Sequence, residues 1–207
     1  MTVTGNASLF VIAAPSGAGK TTLVKALVDR NPALKFSISY TTRKQRSTEE
    51  HGRDYFFVNH EEFASLRERG ELLESAVVFD NHYGTSRSQV EGHLDNGNNV
   101  ILEIDWQGAQ QVRASMPGCV TVFILPPSRI ELERRLRGRR TDSDEVIERR
   151  LRDALGDMSH WDEFDHVIIN DDLDRATADL EAVIAGNGAD SRASNPDLAD
   201  RVKNILV

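Results

Sequence analysis

The sequence predicts an α/β fold in which a parallel β-sheet is flanked by helices. Short, mostly apolar runs at residues 9–13, 100–105, 120–125 and 167–169 alternate with segments whose apolar residues recur at helical spacing. Strands that are apolar throughout are typical of parallel sheets with both faces covered. A glycine-rich loop follows the first of these strands. In such folds the ligand binds beyond the carboxyl ends of the strands.

The first half of the chain contains an insertion in this alternation. Apolar residues at 23–28 predict a helix after the glycine-rich loop, and residues 36–40 predict a second strand. Residues 55–85 differ from the segments on either side, because their pattern predicts short strands around a single helix. Asn59 and Glu62 have the spacing of a capping box at the start of that helix. The pattern therefore predicts a small β-rich insertion within the α/β core.

The second half returns to the alternation. Four further helices are predicted, at residues 107–114, after Ser128, at 147–158 and at 173–184. Ser128 and Glu131 have the spacing of another capping box. Residues 186–195 are polar and predict a linker, and residues 196–207 predict a terminal helix.

Composition excludes several classes of partner. The 207 residues suit one globular domain, and the net charge of −8 disfavours binding to nucleic acid or to anionic lipid. The single cysteine, Cys119, has no partner for an internal disulfide and is expected to be a small core residue. Residues 1–8 lack the pattern of a secretory signal, and no apolar run approaches the length of a membrane span. We therefore expect a cytoplasmic protein.

The glycine-rich loop has the spacing of a nucleotide phosphate-binding loop, except that Ala14 replaces the first glycine. Gly17 and Gly19 allow backbone N–H groups to turn toward phosphate oxygens. Lys20 supplies a charge to the β- and γ-phosphates, and Thr21 offers a hydroxyl to Mg²⁺. The alternative is a glycine-rich turn without a ligand. The predicted ATP-binding residues are Ala14, Pro15, Ser16, Gly17, Ala18, Gly19, Lys20, Thr21 and Thr22.

A second phosphate site is indicated at residues 39–46, which combine hydroxyl side chains with Arg43 and Arg46. Arginine binds phosphate through two parallel hydrogen bonds, and serine or tyrosine hydroxyls add further ones. By residue type alone, the segment could equally be a solvated charged loop. The segment suggests that the molecule which receives the phosphoryl group from the nucleotide itself carries a phosphate.

Several separated motifs together resemble the guanylate kinases, and most of all the bacterial enzymes. The resemblance runs from about residue 9 to residue 184. It is carried by Ser39-x-x-x-Arg43-x-x-Arg46-x-x-Glu49-x-x-Gly52-x-Asp54-Tyr55-x-Phe57, by Glu74, by Tyr83-Gly84-Thr85, by Ile104-Asp105-Trp106-Gln107-Gly108-Ala109 and by Asn170-Asp171-Asp172.

The resemblance implies a nucleoside monophosphate kinase with a phosphate-binding loop and one guanylate kinase-like domain over residues 8–185. The implied parts are a core with the loop at 1–37, a GMP-binding insertion at 38–95, core at 96–127, a helical LID at 128–145, and core with a C-terminal extension at 146–207. The implied reaction transfers the γ-phosphate of ATP to GMP in purine nucleotide recycling, with Mg²⁺ accompanying ATP. The oligomeric state is left open.

The resemblance also assigns the residues of the GMP site. Arg43, Arg46, Tyr55 and Tyr83 would hold the GMP phosphate, and Ser39, Glu74 and Thr85 would bind guanine; Glu49, Glu103 and Asp105 complete the implied site. Glu74 makes independent chemical sense, because a carboxylate accepts the hydrogen bonds that one edge of guanine donates. The departures from relatives are Ser47-Thr48, where many have Pro-Gly, and Glu103, where aspartate is commoner.

Five arginines crowd residues 134–140 in an otherwise acidic protein. Some are expected to pair with neighbouring acids on a solvated helix face. The resemblance selects Arg135, Arg139 and Arg150 as LID contacts to phosphate, which act in catalysis together with Lys20, and Gly138 is a predicted hinge. The alternative class is a catalytically inactive guanylate kinase-like interaction module. Such modules have degraded phosphate loops, whereas Lys20 and Thr21 are intact here.

Overall fold

The structure is a computed structural model that describes residues 7–78, 80–138 and 144–206. Within this part of the chain, the strands form two sheets. The strands are β1 (Leu9–Ala13), β2 (Lys35–Phe36), β3 (Ser39–Thr41), β4 (Phe56–Phe57), β5 (Leu72–Val78), β6 (Asn81–Ser86), β7 (Val100–Glu103), β8 (Val120–Leu125) and β9 (His166–Ile169). A parallel sheet has the order β2-β7-β1-β8-β9, and a mixed sheet has the order β4-β3-β6-β5. The predicted α/β class with a small mixed insertion is confirmed.

Apart from α3, the helices of the described residues begin and end close to the predicted positions. They are α1 (Lys20–Arg30), α2 (His60–Glu68), α3 (Arg87–Asp95), α4 (Trp106–Ser115), α5 (Arg129–Arg137), α6 (Asp144–Met158), α7 (Leu173–Ile184) and α8 (Pro196–Leu206). None of these helices is long and apolar enough to cross a membrane. Helix α3 was not predicted, because only Val90 is buried on it and its apolar periodicity is weak.

By its internal contacts the chain divides into two compact units, and the division falls within β1. The first unit extends to Val11 and resumes at Pro32–Cys119, and the second comprises Ile12–Asn31 and the chain from Val120 onward.

The mixed sheet of the first unit brings distant residues into one row. Strand β3 runs parallel to β4 and antiparallel to β6, which in turn pairs antiparallel with β5. The register places Ser39 opposite Thr85, and Thr85 opposite Glu74. The predicted strand at 36–40 is wrong in one respect. It divides at Ser37 and Ile38 into β2 and β3, which belong to different sheets.

In the second unit, a half-buried aspartate links the start of β8 to the residues that precede β9. Asp165 Oδ2 accepts from the backbone N–H and the hydroxyl of Thr121, both at 2.8 Å. Helices α1 and α7 pack together, and the amide of Asn31 donates to Glu181 at 3.1 Å. The predicted capping box of α5 is only half formed. Ser128 accepts from the Glu131 N–H, while the Glu131 carboxylate binds arginines of its own helix.

Residues 186–195 are more than the predicted linker, because they dock beside β9. The N–H of Val167 donates to the carbonyl of Ser191 at 2.7 Å, and His166 forms a bridge with Arg192. The His166 ring lies 3.0 Å from the Ser191 hydroxyl, and burial lowers the pKa of His166. The predicted terminal helix is confirmed as α8, which buries Leu198, Val202 and Ile205.

The capping box predicted for α2 is present in full. The Asn59 side chain accepts from the Glu62 N–H at 2.8 Å, and the Glu62 carboxylate accepts from the Asn59 N–H at 2.9 Å. These bonds satisfy N–H groups that the first turn of a helix otherwise leaves without an intrahelical partner. Helix α2, which begins here, buries Phe63, and the Phe63 ring packs against the ring of His82 on β6.

We expect Asn59→Ala to lower the free energy of unfolding by about 1 kcal/mol, because it removes the cap. Asn59→Ser retains an acceptor and should stay close to the wild type. Urea unfolding followed by circular dichroism measures the difference, with Glu68→Ala on the exposed face of the same helix as the control. A loss for Asn59→Ala no larger than that for the control would contradict the role of the cap.

Candidate active site

The glycine-rich loop leaves the buried strand β1 and leads into α1. Gly17 and Gly19 have φ angles of 91° and 92°, in the left-handed region that glycine adopts without strain. Space is equally restricted. A Cβ on Gly17 would lie 2.9 Å from methyl carbons of Leu132 and Leu136, and one on Gly19 would collide with the amide nitrogen of Asn170. The loop therefore needs glycine at both positions for backbone angle and for packing.

Two side chains hold one carbonyl of the loop. The Ala18 carbonyl accepts from the Asn170 amide at 2.8 Å and from Arg135 Nη1 at 3.1 Å. In a trans peptide the carbonyl and the following N–H point in opposite directions. Anchoring the Ala18 carbonyl therefore turns the Gly19 N–H away from these side chains. This is the orientation that a backbone anion cradle requires.

Arg135 makes further hydrogen bonds that hold it in this arrangement. Its Nη2 donates to the Asn170 carbonyl at 2.9 Å, and its Nε donates to Glu131 at 2.8 Å. Hydrogen bonds from Arg134 and then from Arg135 lower the pKa of Glu131 to about 2, so its carboxylate stays ionised. The structure thus places Arg135 against the loop backbone. Its predicted contact with phosphate stays a prediction.

Ala14, Pro15 and Ser16 lie in the loop after β1, and the last three predicted ATP residues lie at the start of α1. Lys20 is half-buried, and Thr21 and Thr22 are exposed on the first turn. The N-cap residue is Gly19, which has no side chain to cap the first N–H groups. A helix N-terminus of this kind attracts anions. Of the predicted LID arginines, Arg150 is half-buried on α6, and Arg139 lies outside the described residues.

The predicted guanine residues occupy one row of the mixed sheet. Ser39, Thr85 and Glu74 are directly opposite one another on β3, β6 and β5, so their side chains share one face of the sheet. Tyr83 precedes Thr85 by two residues on β6 and lies on the same face. The register therefore places a predicted phosphate ligand beside the predicted base ligands.

Glu74 is buried with only 4% of its surface exposed. The Thr85 hydroxyl donates to Glu74 Oε1 at 2.7 Å. A carboxylate removed from water in this way is costly unless hydrogen bonds compensate it. The first turn of α4 packs against the other oxygen, because the Cα of Gly108 carries no side chain there. The row therefore presents a carboxylate in a fixed orientation.

The predicted phosphate arginines are organised by Glu49. Its carboxylate accepts from Arg43 Nη2 at 2.8 Å, from Arg43 Nη1 at 3.1 Å and from the Arg46 N–H at 2.9 Å. Burial acts to raise the pKa of Glu49, but these hydrogen bonds outweigh it and the pKa is lowered. In the structure, Glu49 therefore orients Arg43 and the backbone at Arg46. Its predicted contact with GMP stays a prediction.

Two tyrosines line the same region. The rings of Tyr55 and Tyr83 are 6.1 Å apart at their centroids, and the Arg43 guanidinium lies 5.4 Å from the centre of the Tyr55 ring. Burial, followed by the charge of Glu103 and the proximity of Tyr83, raises the pKa of Tyr55 to about 12. The Tyr55 hydroxyl is therefore protonated at neutral pH and can donate a hydrogen bond.

The two acids after β7 have different surroundings. Asp105 is the N-cap of α4, where its Oδ1 accepts from the Gly108 N–H at 2.7 Å. Its carboxylate is therefore used in part to start the helix. Glu103 ends β7, is half-buried and lies close enough to Tyr55 to affect its pKa. The roles of both residues toward GMP stay predictions.

Sequence reasoning did not name three residues as site residues, although each supports a predicted site residue or the phosphate loop in the structure. They are Asn170, which holds the Ala18 carbonyl; Glu131, which holds Arg135; and Gly108, which packs on Glu74. Asn170 had one usable signal, since it is a polar residue directly after an apolar strand. Nothing in the pattern of residues pairs Gly108 with Glu74, because 34 positions separate them.

The donor set of the loop fits Mg²⁺ held largely by a nucleotide. Across residues 7–78, 80–138 and 144–206, no group of three or more His, Cys, Asp or Glu side chains could hold a metal ion. Thr21 offers one hydroxyl oxygen at the start of α1. Mg²⁺ in such proteins takes most of its ligands from phosphates and water, so a single protein oxygen suffices.

Comparison with known proteins covers almost the whole chain. The profile of the family described as guanylate kinase matches residues 6–187. The guanylate kinase of Alkalilimnicola ehrlichii is 53% identical over 96% of this chain and 98% of that protein. The Escherichia coli guanylate kinase is 52% identical over 86% of each chain.

A solved structure agrees with these relatives. The crystal structure of guanylate kinase from Anaplasma phagocytophilum superposes with a TM-score of 0.74 at 34% identity, over 88% of this chain and 87% of that one. Sequence profile, full-length relatives and fold all agree. The chain belongs to the guanylate kinase family.

Proposed function

We propose that the protein is a guanylate kinase that transfers the γ-phosphate of ATP to GMP, giving ADP and GDP. The observation that carries the proposal is the row of Ser39, Thr85 and Glu74 across the mixed sheet, beside an arginine site for phosphate. The phosphate-binding loop of the second unit supplies the donor side. The reaction would return GMP to the guanine nucleotide pool of the cytoplasm.

Guanine fits the buried carboxylate. One edge of guanine presents N1–H and N2–H₂ donors, and a carboxylate such as that of Glu74 is purely an acceptor. Adenine has an acceptor at N1, which would face a carboxylate lone pair, so neither of these two lone pairs would receive a hydrogen bond from the other group. The Thr85 hydroxyl fixes Oε1 of Glu74, so the carboxylate cannot turn away from an unsuitable base without losing that bond. Ser39 completes the row as a further hydroxyl.

The GMP phosphate fits the group formed by Arg43, Arg46, Tyr55 and Tyr83. Glu49 holds the Arg43 guanidinium in one orientation, and Arg46 is largely exposed and available. The protonated Tyr55 hydroxyl adds a neutral donor. This combination gives charge and direction for a dianionic phosphate.

On the donor side, Lys20 and the N–H groups of the loop bind the ATP phosphates, and Thr21 binds Mg²⁺. When bound, Mg²⁺ neutralises charge on the transferring phosphate. Arg135, Arg139 and Arg150 are the LID residues that stabilise charge during transfer. The acceptor oxygen of GMP is already anionic at neutral pH, so the protein supplies position and electrostatics, and no general base is needed.

A panel of nucleoside monophosphates with ATP and Mg²⁺ tests the proposal. The wild type should convert GMP and should act poorly on AMP, CMP and UMP. Lys20→Ala should lower kcat/KM for GMP by at least ~100-fold, because it removes one preorganised charge that acts on the transferring phosphate. ADP release in a coupled assay is the measurement. A wild type without turnover on GMP would instead favour an interaction module.

The support of the loop by Asn170 predicts a defect confined to ATP. Asn170→Ala should lower kcat/KM for ATP at saturating GMP by about fivefold, in proportion to one lost hydrogen bond. Asn170→Asp keeps the size but turns the donor toward the Ala18 carbonyl into an acceptor, so its loss should be larger. Asn187→Ala, at an exposed position, is the control. If both Asn170 variants used ATP normally, the loop would not depend on this bond.

Base selection predicts the effect of Glu74→Gln. The variant keeps the size but turns one acceptor into a donor, so kcat/KM for GMP should fall by at least about tenfold. AMP should be rejected less strongly, because the glutamine amide can donate to adenine N1. The measurement is kcat/KM for both acceptors at saturating ATP. An unchanged ratio of GMP to AMP would move the selection of the base to Ser39 and Thr85.

A further inference from the structure

The first turn of α4 packs against the carboxylate that the proposed function assigns to guanine. If Gly108 carried a Cβ, that atom would lie 2.6 Å from Glu74 Oε2 and 3.2 Å from Glu74 Cδ. It would also lie 3.2 Å from Asp105 Oδ1. Real Cβ atoms do not approach an oxygen as closely as 2.6 Å. The position of the Glu74 carboxylate therefore depends on the absence of a side chain at residue 108.

We propose that Gly108 is a specificity-determining residue, which lets the helix turn hold the Glu74 carboxylate in the orientation that selects guanine over adenine. The inference rests on the proposed function, since it concerns the same base site. Gly108 acts through Glu74, so it is a positioning residue and touches no substrate itself.

Two features, the lack of space for a Cβ and the burial between two carboxylates, make this position different from that of an ordinary helix glycine. Glycine is a poor helix former, so alanine is the favoured residue in the first turn unless space forbids it. Gly92 in α3 shows the ordinary case, because no atom lies within 4 Å of the Cβ it would carry apart from its chain neighbours and the backbone of its own helix. Gly108 is buried between two carboxylates, and its N–H is already used by Asp105 at 2.7 Å.

The atoms nearest to the added Cβ also indicate whether the Glu74 side chain or the backbone of β5 would move. The closest atom belongs to the end of the Glu74 side chain, whereas the backbone of β5 is not among the three nearest atoms. A carboxylate can turn at a smaller cost than a strand can move. Because the Thr85 hydroxyl holds Oε1, a displaced carboxylate would lose that bond or rotate its acceptors away from the base.

The test compares Gly108→Ala with Gly92→Ala, the same substitution in a helix of the same unit where space is open. Gly108→Ala should lower the ratio of kcat/KM for GMP to that for AMP by about tenfold, the loss expected for one hydrogen bond to a charged group. Gly92→Ala should leave the ratio unchanged. The ratio is independent of the amount of folded enzyme, because both acceptors are measured on the same preparation.

A double variant separates the proposed contact from a general defect. In the Glu74→Gln background, Gly108→Ala should change the ratio by much less than it does in the wild type, since both substitutions act on one side chain. Equal changes in the two backgrounds, or an unchanged ratio in Gly108→Ala, would overturn the inference while leaving the kinase activity established. A wild type without activity on GMP would overturn the proposed function and the inference with it.

Discussion

The phosphate loop depends on how a single peptide group is held. Its ligands would be backbone N–H groups, and a loop of small residues has few side chains with which to fix its own conformation. The Ala18 carbonyl is therefore anchored from outside by Asn170 and Arg135, and Arg135 is itself held by Glu131. Asn170, which follows β9, and Arg135, which lies on α5, thus determine the direction of the Gly19 N–H in the loop after β1.

On the acceptor side the requirement is different, because a buried carboxylate has to be held in one orientation. Glu74 is almost inaccessible, and the Thr85 hydroxyl and the start of α4 surround it. Arg43 and Glu49 differ from this, because there an ion pair orients a guanidinium. In both cases one protein group fixes the acceptor or donor before the substrate arrives, which lowers the entropic cost of binding.

The strands and most helices could be predicted from the sequence, because apolar periodicity is a local signal. The spacing Gly17-x-Gly19-Lys20 is likewise local and marks the loop after β1. The failures have physical causes. The run at 36–40 has the pattern of one strand, and only tertiary pairing shows that it divides between two sheets. Ser128 and Glu131 have capping-box spacing, but arginines one turn later compete for the Glu131 carboxylate. The row of Ser39, Thr85 and Glu74 requires a strand register, which no single segment encodes.

Glycines in both units show why residue type alone is an incomplete guide. Gly17 and Gly19 are found by reasoning about backbone angle, and both have the positive φ that such reasoning requires. Gly108 has an ordinary helical conformation, so no argument from dihedral angles would select it. Its constraint is volume, since it borders a carboxylate that comes from a strand 34 positions earlier. Close packing against a charged group that must stay in place restricts a residue as strongly as an unusual backbone angle does, and only the three-dimensional structure reveals it.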